Sequence, residues 1–545
     1  MSAVSTTSLV ARRREVSEPM VLATLGAIGA ALLVYLGPPG TDFAAHAYQA
    51  ALFSAHGFAL WNNLWYSGRY SFVTYSTLYY PLASLIGIRA LAVLCVAVAV
   101  AAFALVAERR WGASARWSSR SAAVVLPAFV LSAAFPFLLG ATLSLLAILC
   151  LQARRWPAFA VLCVLAAAAS PLAFVFLALV VIAIGLGDRW SRRHLLVAAS
   201  LLGAVLAVLV LLAALFPSGA RYPFPMQAFL PAMAFSAALA GLTWRMDAAR
   251  SLRFIALLNA AACVGALLVS SEVGEAVTRL RFVALPLMLL ALALRRWRPR
   301  GLSILAMIVS AYWNIAPLVT SFANGVGDPS QHAAFWQPAT GFLRTNLTPG
   351  YRVEVVDTQR HWAAAYLPAA GIPLVRGWFR QDDFPQNAPL YHRLSPATYR
   401  RWLRGLGVRF VVLTDVTPDY SAQREATLLR SGHSGLRPVL RTRHIVVFSV
   451  PRPRPIVTGP GRPRVTALTR EQLDLRAGRP GAYRVAVRYS PYWRVSAGCL
   501  GPGRDGMMRL RVSRPGPVRL TFSVGSAALL LRVLVGDRPR CAPTG

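Results

Sequence analysis

Asp42 and His46 are the first residues in this chain whose types and spacing could do chemistry. Four positions apart, they share one face of a helix. A carboxylate beside a histidine can act as a general base, or can belong to a metal site. The same pair also fits a plainer role, in which Thr41 or Asp42 caps a surface helix and His46 pairs with it one turn on. A second polar group, Glu272 and Glu275 with Arg279 and Arg281, sets carboxylates beside guanidinium forks of the kind that grip phosphate oxygens bidentately. Arginines flanking a span and snorkelling to the surface give the alternative. A third group is aromatic and basic: Trp65, Tyr66 and Arg69 in the first polar stretch, and Trp378, Arg380 and Asp382 within Val375–Asp383. Aromatic faces there could stack on sugar rings or form an interfacial belt. The Val375–Asp383 loop could contact ligand or close its own module. No Ser-His-Asp set, phosphate loop, dinucleotide fingerprint or zinc spacing is apparent.

The elements that must position these groups are apolar. The chain has 545 residues, of which 56% are hydrophobic, and a mean hydropathy of +0.51, the composition of a chain partly dissolved in lipid. The formal charge of +37 comes from arginine alone, since lysine is absent. Clusters such as Arg12–Arg14, Arg109–Arg110, Arg154–Arg155, Arg192–Arg193, Arg245–Arg253 and Arg295–Arg300 punctuate the apolar runs. That is a positive-inside pattern, and no nucleic-acid-binding fold accompanies the charge.

The run from Met20 to Leu36 reads as an anchor behind a cytoplasmic tail, residues 1–19. Further apolar segments make about eleven spans within residues 20–321, with a first outer loop at 37–87. Alternation from an inside N-terminus places the arginine clusters in the cytoplasm, and Asp42 and the C-terminal part outside. Almost no ionisable residue falls inside a span, which speaks against an ion-coupled transporter. Residues 322–450 read as an extracytoplasmic α/β module, 451–465 as a Pro/Gly/Arg linker, and 466–545 as a small β-sandwich whose strands include Ala528–Val535. Four cysteines lie singly in apolar runs; Cys499 and Cys541 could form one disulfide in an oxidising compartment.

Thr41–His46, Trp61–Tyr66, Tyr79–Leu82, Phe135–Gly140, Ser170–Ala173, Gly274–Leu280, Arg376–Asp382 and Tyr489–Trp493 together resemble the polytopic GT-C superfamily of glycosyltransferases. The likeness extends to actinobacterial membrane proteins labelled as pyruvoyl-tetrahydropterin synthase-related. The resemblance implies a bacterial plasma-membrane enzyme that takes a sugar from a polyprenyl-phosphate donor at the outer face. It implies inversion at the anomeric carbon, an envelope glycan as acceptor, Asp42 as base, and His46 and Arg279 as positioning groups. Asp42 stands without the second nearby carboxylate found in members with a paired acidic motif, so no metal ligand set is assigned, no cofactor is implied, and divalent-metal dependence stays open. Two other readings of the chain remain: a non-catalytic scaffold that binds envelope glycan, and a transporter or flippase of a lipid-linked intermediate.

Overall fold

The computed structural model describes residues 5–525 and 527–536. The chain forms two compact units. The first comprises Met1–His46, Tyr75–Val210 and Arg221–Gly327; the second comprises Ala47–Thr74, Leu211–Ala220 and Asp328–Gly545.

The first unit is helical, as its long apolar runs require, because a backbone in lipid must satisfy its own hydrogen bonds. Among the described residues eight helical stretches are long and apolar enough to cross a membrane, and Trp156–Ala169 and Pro171–Gly187 are shorter apolar helices. This is a multi-pass membrane protein. The expected count of about eleven is reduced on the criterion of length. The segment expected at Ser121–Phe135 is no separate long span: Pro127 ends the helix Arg116–Val125, and a 3₁₀ turn, Pro127–Leu131, takes over. Proline lacks the N–H and clashes with the preceding turn, so it begins helices and interrupts them. Ser170 marks another start: its Oγ accepts from the Ala173 N–H at 3.4 Å, with Pro171 in the first turn.

In the second unit, helices Ala333–Asn346, Pro396–Gly405 and Gln423–Arg430 accompany a four-stranded sheet. Val408–Thr414 is central, parallel to Arg352–Val355 and antiparallel to Ile445–Ser449, which in turn pairs with Arg437–Arg441. Val408, Val411 and Val412 are fully buried, which is why this strand reads as a nearly unbroken apolar run. Two further four-stranded antiparallel sheets follow. One is built around Gly481–Arg488 and Met507–Val512, the other around Gln472–Ala477 and Gly516–Phe522. Their inward residues, including Leu473, Val485, Leu510 and Leu520, make one core.

Two expectations are corrected here. The run expected as a strand at Ala528–Val535 is a helix, Ala527–Leu534, whose Leu529, Leu530 and Val533 pack on the sandwich core. The spacing of those three is helical, and leucine-rich runs favour helix over strand. The first-loop aromatics do not form an exposed interfacial belt. Trp61, Trp65, Tyr66, Tyr70 and Phe72 are buried, and Trp61 and Tyr70 belong to the sandwich core. A short hairpin holds them, with Trp61 opposite Tyr70 and Asn62 opposite Arg69. Cys499 is disulfide-bonded; Cys541, its expected partner, lies outside the described residues.

Candidate functional site

Five separate connections of the helical unit meet at one cavity of about 210 Å³. Thr41 and Asp42 come from the turn after the first helix, and Ser132 and Ala134 from the turn after Pro127–Leu131. Tyr222 precedes the helix Met226–Thr243, and Glu275, Thr278, Arg279 and Arg281 precede the helix Ala284–Leu294. Pro317 and Ser321 lie near the end of Arg300–Gly325.

The first loop is tied down by carbonyls that a helix end leaves unsatisfied. The Thr41 N–H donates to Leu131 O at 3.1 Å, and the Asp42 N–H donates to Ser132 O at 3.2 Å. Ser321 Oγ also donates to Leu131 O, at 2.7 Å, and lies 2.8 Å from Thr41 Oγ1. Three connections far apart in sequence therefore converge on one carbonyl. The Asp42 carbonyl accepts from the His46 N–H at 3.4 Å, so Asp42 occupies the N-cap position of the helix Phe43–His56.

The other wall is a ten-residue 3₁₀ helix, Gly274–Val283. Residues three apart eclipse in this conformation, so Glu275, Thr278 and Arg281 project along one edge, and all three line the cavity. Gly274 begins it with φ +39°, and a Cβ there would fall 2.0 Å from Tyr222 O. Only glycine admits both that conformation and that approach. The Arg279 guanidinium stacks 4.9 Å from the Phe137 ring centre, a cation–π contact that fixes its direction. Arg281 interacts electrostatically with Glu275, Arg279 and Asp42. Asp42, Glu275, Arg279 and Arg281 are each half-buried.

His46 takes a different position. It does not line the cavity; it is fully buried among Tyr75, Tyr79, Tyr80 and Phe135. Its Nδ1 lies 3.2 Å from Tyr80 Oη. Burial, and secondarily the charge of Arg279, push its pKa down to about 3. The ring stays neutral at physiological pH, so a charged pairing with Asp42 does not form.

The remaining expected site residues gather in the second unit. Arg69 Nε donates to Asp382 Oδ2 at 2.6 Å, and its guanidinium lies 4.2 Å from the Phe379 ring centre. Arg380 bridges Asp357 at 2.9 Å and Asp419 at 2.6 Å. Arg376 grips Asp383 through two nitrogens, at 3.1 and 2.9 Å. Trp65 Nε1 donates to Ala364 O at 2.9 Å. The Trp65 and Tyr66 rings press on Gly377, where a Cβ would fall 2.7 Å from the indole. Trp378 is half-buried, edge-on to Phe379. Arg69, Arg380 and Asp382 are thus spent on internal ion pairs. The cavity beside Arg69 and Asp382 has about 20 Å³, the scale of one water molecule rather than of a sugar. The structure brings these six residues together as a closed network and brings Asp42, Glu275, Arg279 and Arg281 together around an open space.

Thr41 and Thr278, which the motifs Thr41–His46 and Gly274–Leu280 contain, also line the Asp42 cavity, as do Tyr222 and Ser321, which carry no sequence signal beyond their place between apolar runs. Among the described residues, no group of three or more His, Cys, Asp or Glu side chains is placed to hold a metal ion.

No protein-family model matches the chain, and no curated protein does. Solved structures do. Mycobacterial arabinofuranosyltransferase AftD, solved by cryo-electron microscopy, is similar at 18% identity and a TM-score of 0.45 over 81% of this chain and 40% of that one. The AftD R1389S mutant is similar at 15% identity and 0.46 over 92% and 59%. The Archaeoglobus fulgidus oligosaccharyltransferase is similar at 12% identity and 0.34 over 72% and 68%. These are likenesses of fold, and the chain spans less than two thirds of the AftD chains.

Proposed function

We propose that the Asp42 cavity is the active site of a membrane glycosyltransferase. In this reading a sugar passes from a polyprenyl-phosphate donor to a hydroxyl of an envelope glycan at the outer face of the bacterial plasma membrane, with inversion. One observation carries the reading: a half-buried carboxylate, Asp42, shares a cavity at the helix ends with two half-buried arginines, Arg279 and Arg281.

The chemistry divides between them. The acceptor hydroxyl attacks the anomeric carbon and its proton passes to the Asp42 carboxylate. The bond from anomeric carbon to phosphate oxygen breaks, and the lipid phosphate leaves with the electron pair. The leaving group is already anionic and gains charge in the transition state, so guanidinium forks aimed at it lower the barrier. Glu275 lies beside Arg281 and Arg279 and keeps the cavity from becoming a general anion trap. His46, buried and neutral, supports the first turn of the helix that Asp42 begins, as a positioning residue. The Arg69, Arg380 and Asp382 network gives the second unit its rigidity, and Trp65, Tyr66 and Trp378 pack with it.

Membranes carrying wild type or Asp42→Asn, supplied with radiolabelled polyprenyl-phosphate sugars, test the assignment. Wild type is expected to move label into acceptor, and Asp42→Asn to fall by about 10²-fold or more at equal protein level, the range of a lost general base. Equal transfer by both removes Asp42 from catalysis. No transfer by wild type from any donor tried favours the scaffold reading.

A further inference from the structure

The helical unit holds a second and larger cavity, of about 600 Å³, in a different place from the Asp42 site. Its mouth is made by the alternate set of connections. Arg109, Arg110 and Trp111 end the helix Ile88–Trp111; Arg154 follows Phe135–Gln152, and Asp188 follows Pro171–Gly187. Its walls are apolar, with Phe103, Ile148, Ile184, Leu252 and Leu287 among them. Leu287 and Leu290 line it from the helix Ala284–Leu294, and Val283 from the end of the 3₁₀ helix before it. At its far end lies Leu280, whose neighbours Arg279 and Arg281 face the Asp42 cavity.

Charge at the mouth is unbalanced. Arg110 Nη1 donates to Asp188 Oδ2 at 2.6 Å and Nη2 donates to Oδ1, so that pair neutralises itself. Arg109 and Arg154 are exposed, and among the described residues neither makes an ion pair. Apolar walls of this kind take apolar guests. Uncommitted arginines at its rim select an anion. Basic pockets between membrane helices bind anionic lipid headgroups for the same reason. We propose that this cavity binds one anionic membrane phospholipid, with an acyl chain between the helices and its phosphate at Arg109 and Arg154.

A chain in the cavity packs behind Leu280, so an occupant supports the 3₁₀ wall that carries Arg279 and Arg281. The proposal does not depend on the transferase reading, because its test uses no donor or acceptor. Full-length protein in neutral detergent is titrated with phosphatidylglycerol carrying a photoreactive acyl chain, with phosphatidylcholine of the same chains, and with glycerol 3-phosphate as the headgroup alone. Phosphatidylglycerol is expected to bind about 30-fold more tightly than phosphatidylcholine, the effect of two arginines near the membrane surface. Crosslinks are expected at Ile148, Ile184 or Leu287. The Arg109→Gln/Arg154→Gln variant should abolish the headgroup preference. Because both side chains are exposed, the fold should survive, and an unchanged Tm verifies this. Ile148→Trp, which narrows the cavity, should weaken the crosslinks while the protein still unfolds in one cooperative transition. Equal affinity for the two lipids, crosslinks confined to the outer helix surfaces, or full competition by glycerol 3-phosphate would each overturn the proposal.

Discussion

Buried ionisable side chains set the limits of this protein at the residue scale. Glu354 and Glu425 are fully buried in the second unit. Burial raises both pKa values, and the charge of Glu425 raises that of Glu354 further; Glu425 reaches about 7 despite a 2.6 Å hydrogen bond donated by Tyr399 Oη. A carboxyl whose folded-state pKa is raised holds its proton longer in the folded state than in the unfolded one. The contribution of these two groups to stability is therefore greatest below the ordinary value of 4.5 and declines as pH rises through about 7. Asp357 and Asp383 act in the opposite sense. Their arginine and histidine partners outweigh burial and hold them low, so their contribution is present above the ordinary 3.8 and lost in acid. Thermal unfolding of the full chain should show Tm falling from pH 5 to pH 8. Glu425→Gln should raise Tm at pH 8 and leave it nearly unchanged at pH 5. A wild-type Tm that is flat across this range would show that the pair is not buried as described. His46 yields a second prediction. Neutral across the physiological range, it contributes no limb to the pH profile of transfer. His46→Asn should cost about 1–3 kcal/mol of stability, the penalty for disturbing a buried polar contact, without moving the profile between pH 5 and 8. A displaced profile would mean that the ring titrates in contact with the reaction.

At the scale of the element, the 3₁₀ wall is the most exacting piece. Gly274→Ala places a Cβ where Tyr222 O already stands, at positive φ, and backbone cannot give way as a flexible side chain would. Transfer should fall at least tenfold with the protein still folded and membrane-inserted; activity retained at full level would show that the wall is free to shift. The sequence made some of this wall readable and left the rest hidden. Glu275, Arg279 and Arg281 stood out because charge between apolar runs is conspicuous, and Asp42 stood out for the same reason. Nothing in the sequence announced that Thr41 and Ser321, 280 positions apart, meet over one carbonyl, because such closure depends on how helices pack. His46 has the spacing from Asp42 that puts both on one helix face, yet such a face is broad, and the aromatic ring of Tyr75, Tyr79, Tyr80 and Phe135 buries one residue while the other lines the cavity. The Arg376–Asp382 stretch misled in a related way: aromatic, basic and acidic groups close together suit a ligand, and they suit each other equally well. The helix Ala527–Leu534 was hidden for a simpler reason, since so short and mostly apolar a run separates helix from strand only through its leucine content and the spacing of the residues that turn out to be packed.

For the molecule as a whole, the two cavities of the helical unit sort its connections by parity. The Asp42 cavity draws on the turns after the first helix, after Pro127–Leu131, before Met226–Thr243, before Ala284–Leu294 and at the end of Arg300–Gly325. The larger cavity takes its mouth from the turns after Ile88–Trp111, Phe135–Gln152 and Pro171–Gly187. Counting each apolar helix as one crossing, the first set falls on one side of a bilayer and the second on the other. The arginine clusters belong to the second set, which the positive-inside rule assigns to the cytoplasm. The stretch 116–131, a ten-residue helix with its 3₁₀ continuation, must then cross as one, and the shorter helices Trp156–Ala169 and Pro171–Gly187 must cross despite their length, which a locally thinned bilayer or snorkelling flanks such as Arg154 and Arg155 would accommodate. Single cysteines separate the alternatives, because the free native cysteines outside the sandwich are buried or half-buried. In intact cells an impermeant maleimide should label Val273→Cys, whose native side chain is exposed, and should label Arg155→Cys only after the membrane is opened. The reverse pattern would place the Asp42 cavity in the cytoplasm and exclude an outer-face reaction. Labelling of both in intact cells would mean that an odd number of the five helices between Arg155 and Val273 do not cross, and the parity of every later connection would have to be recounted.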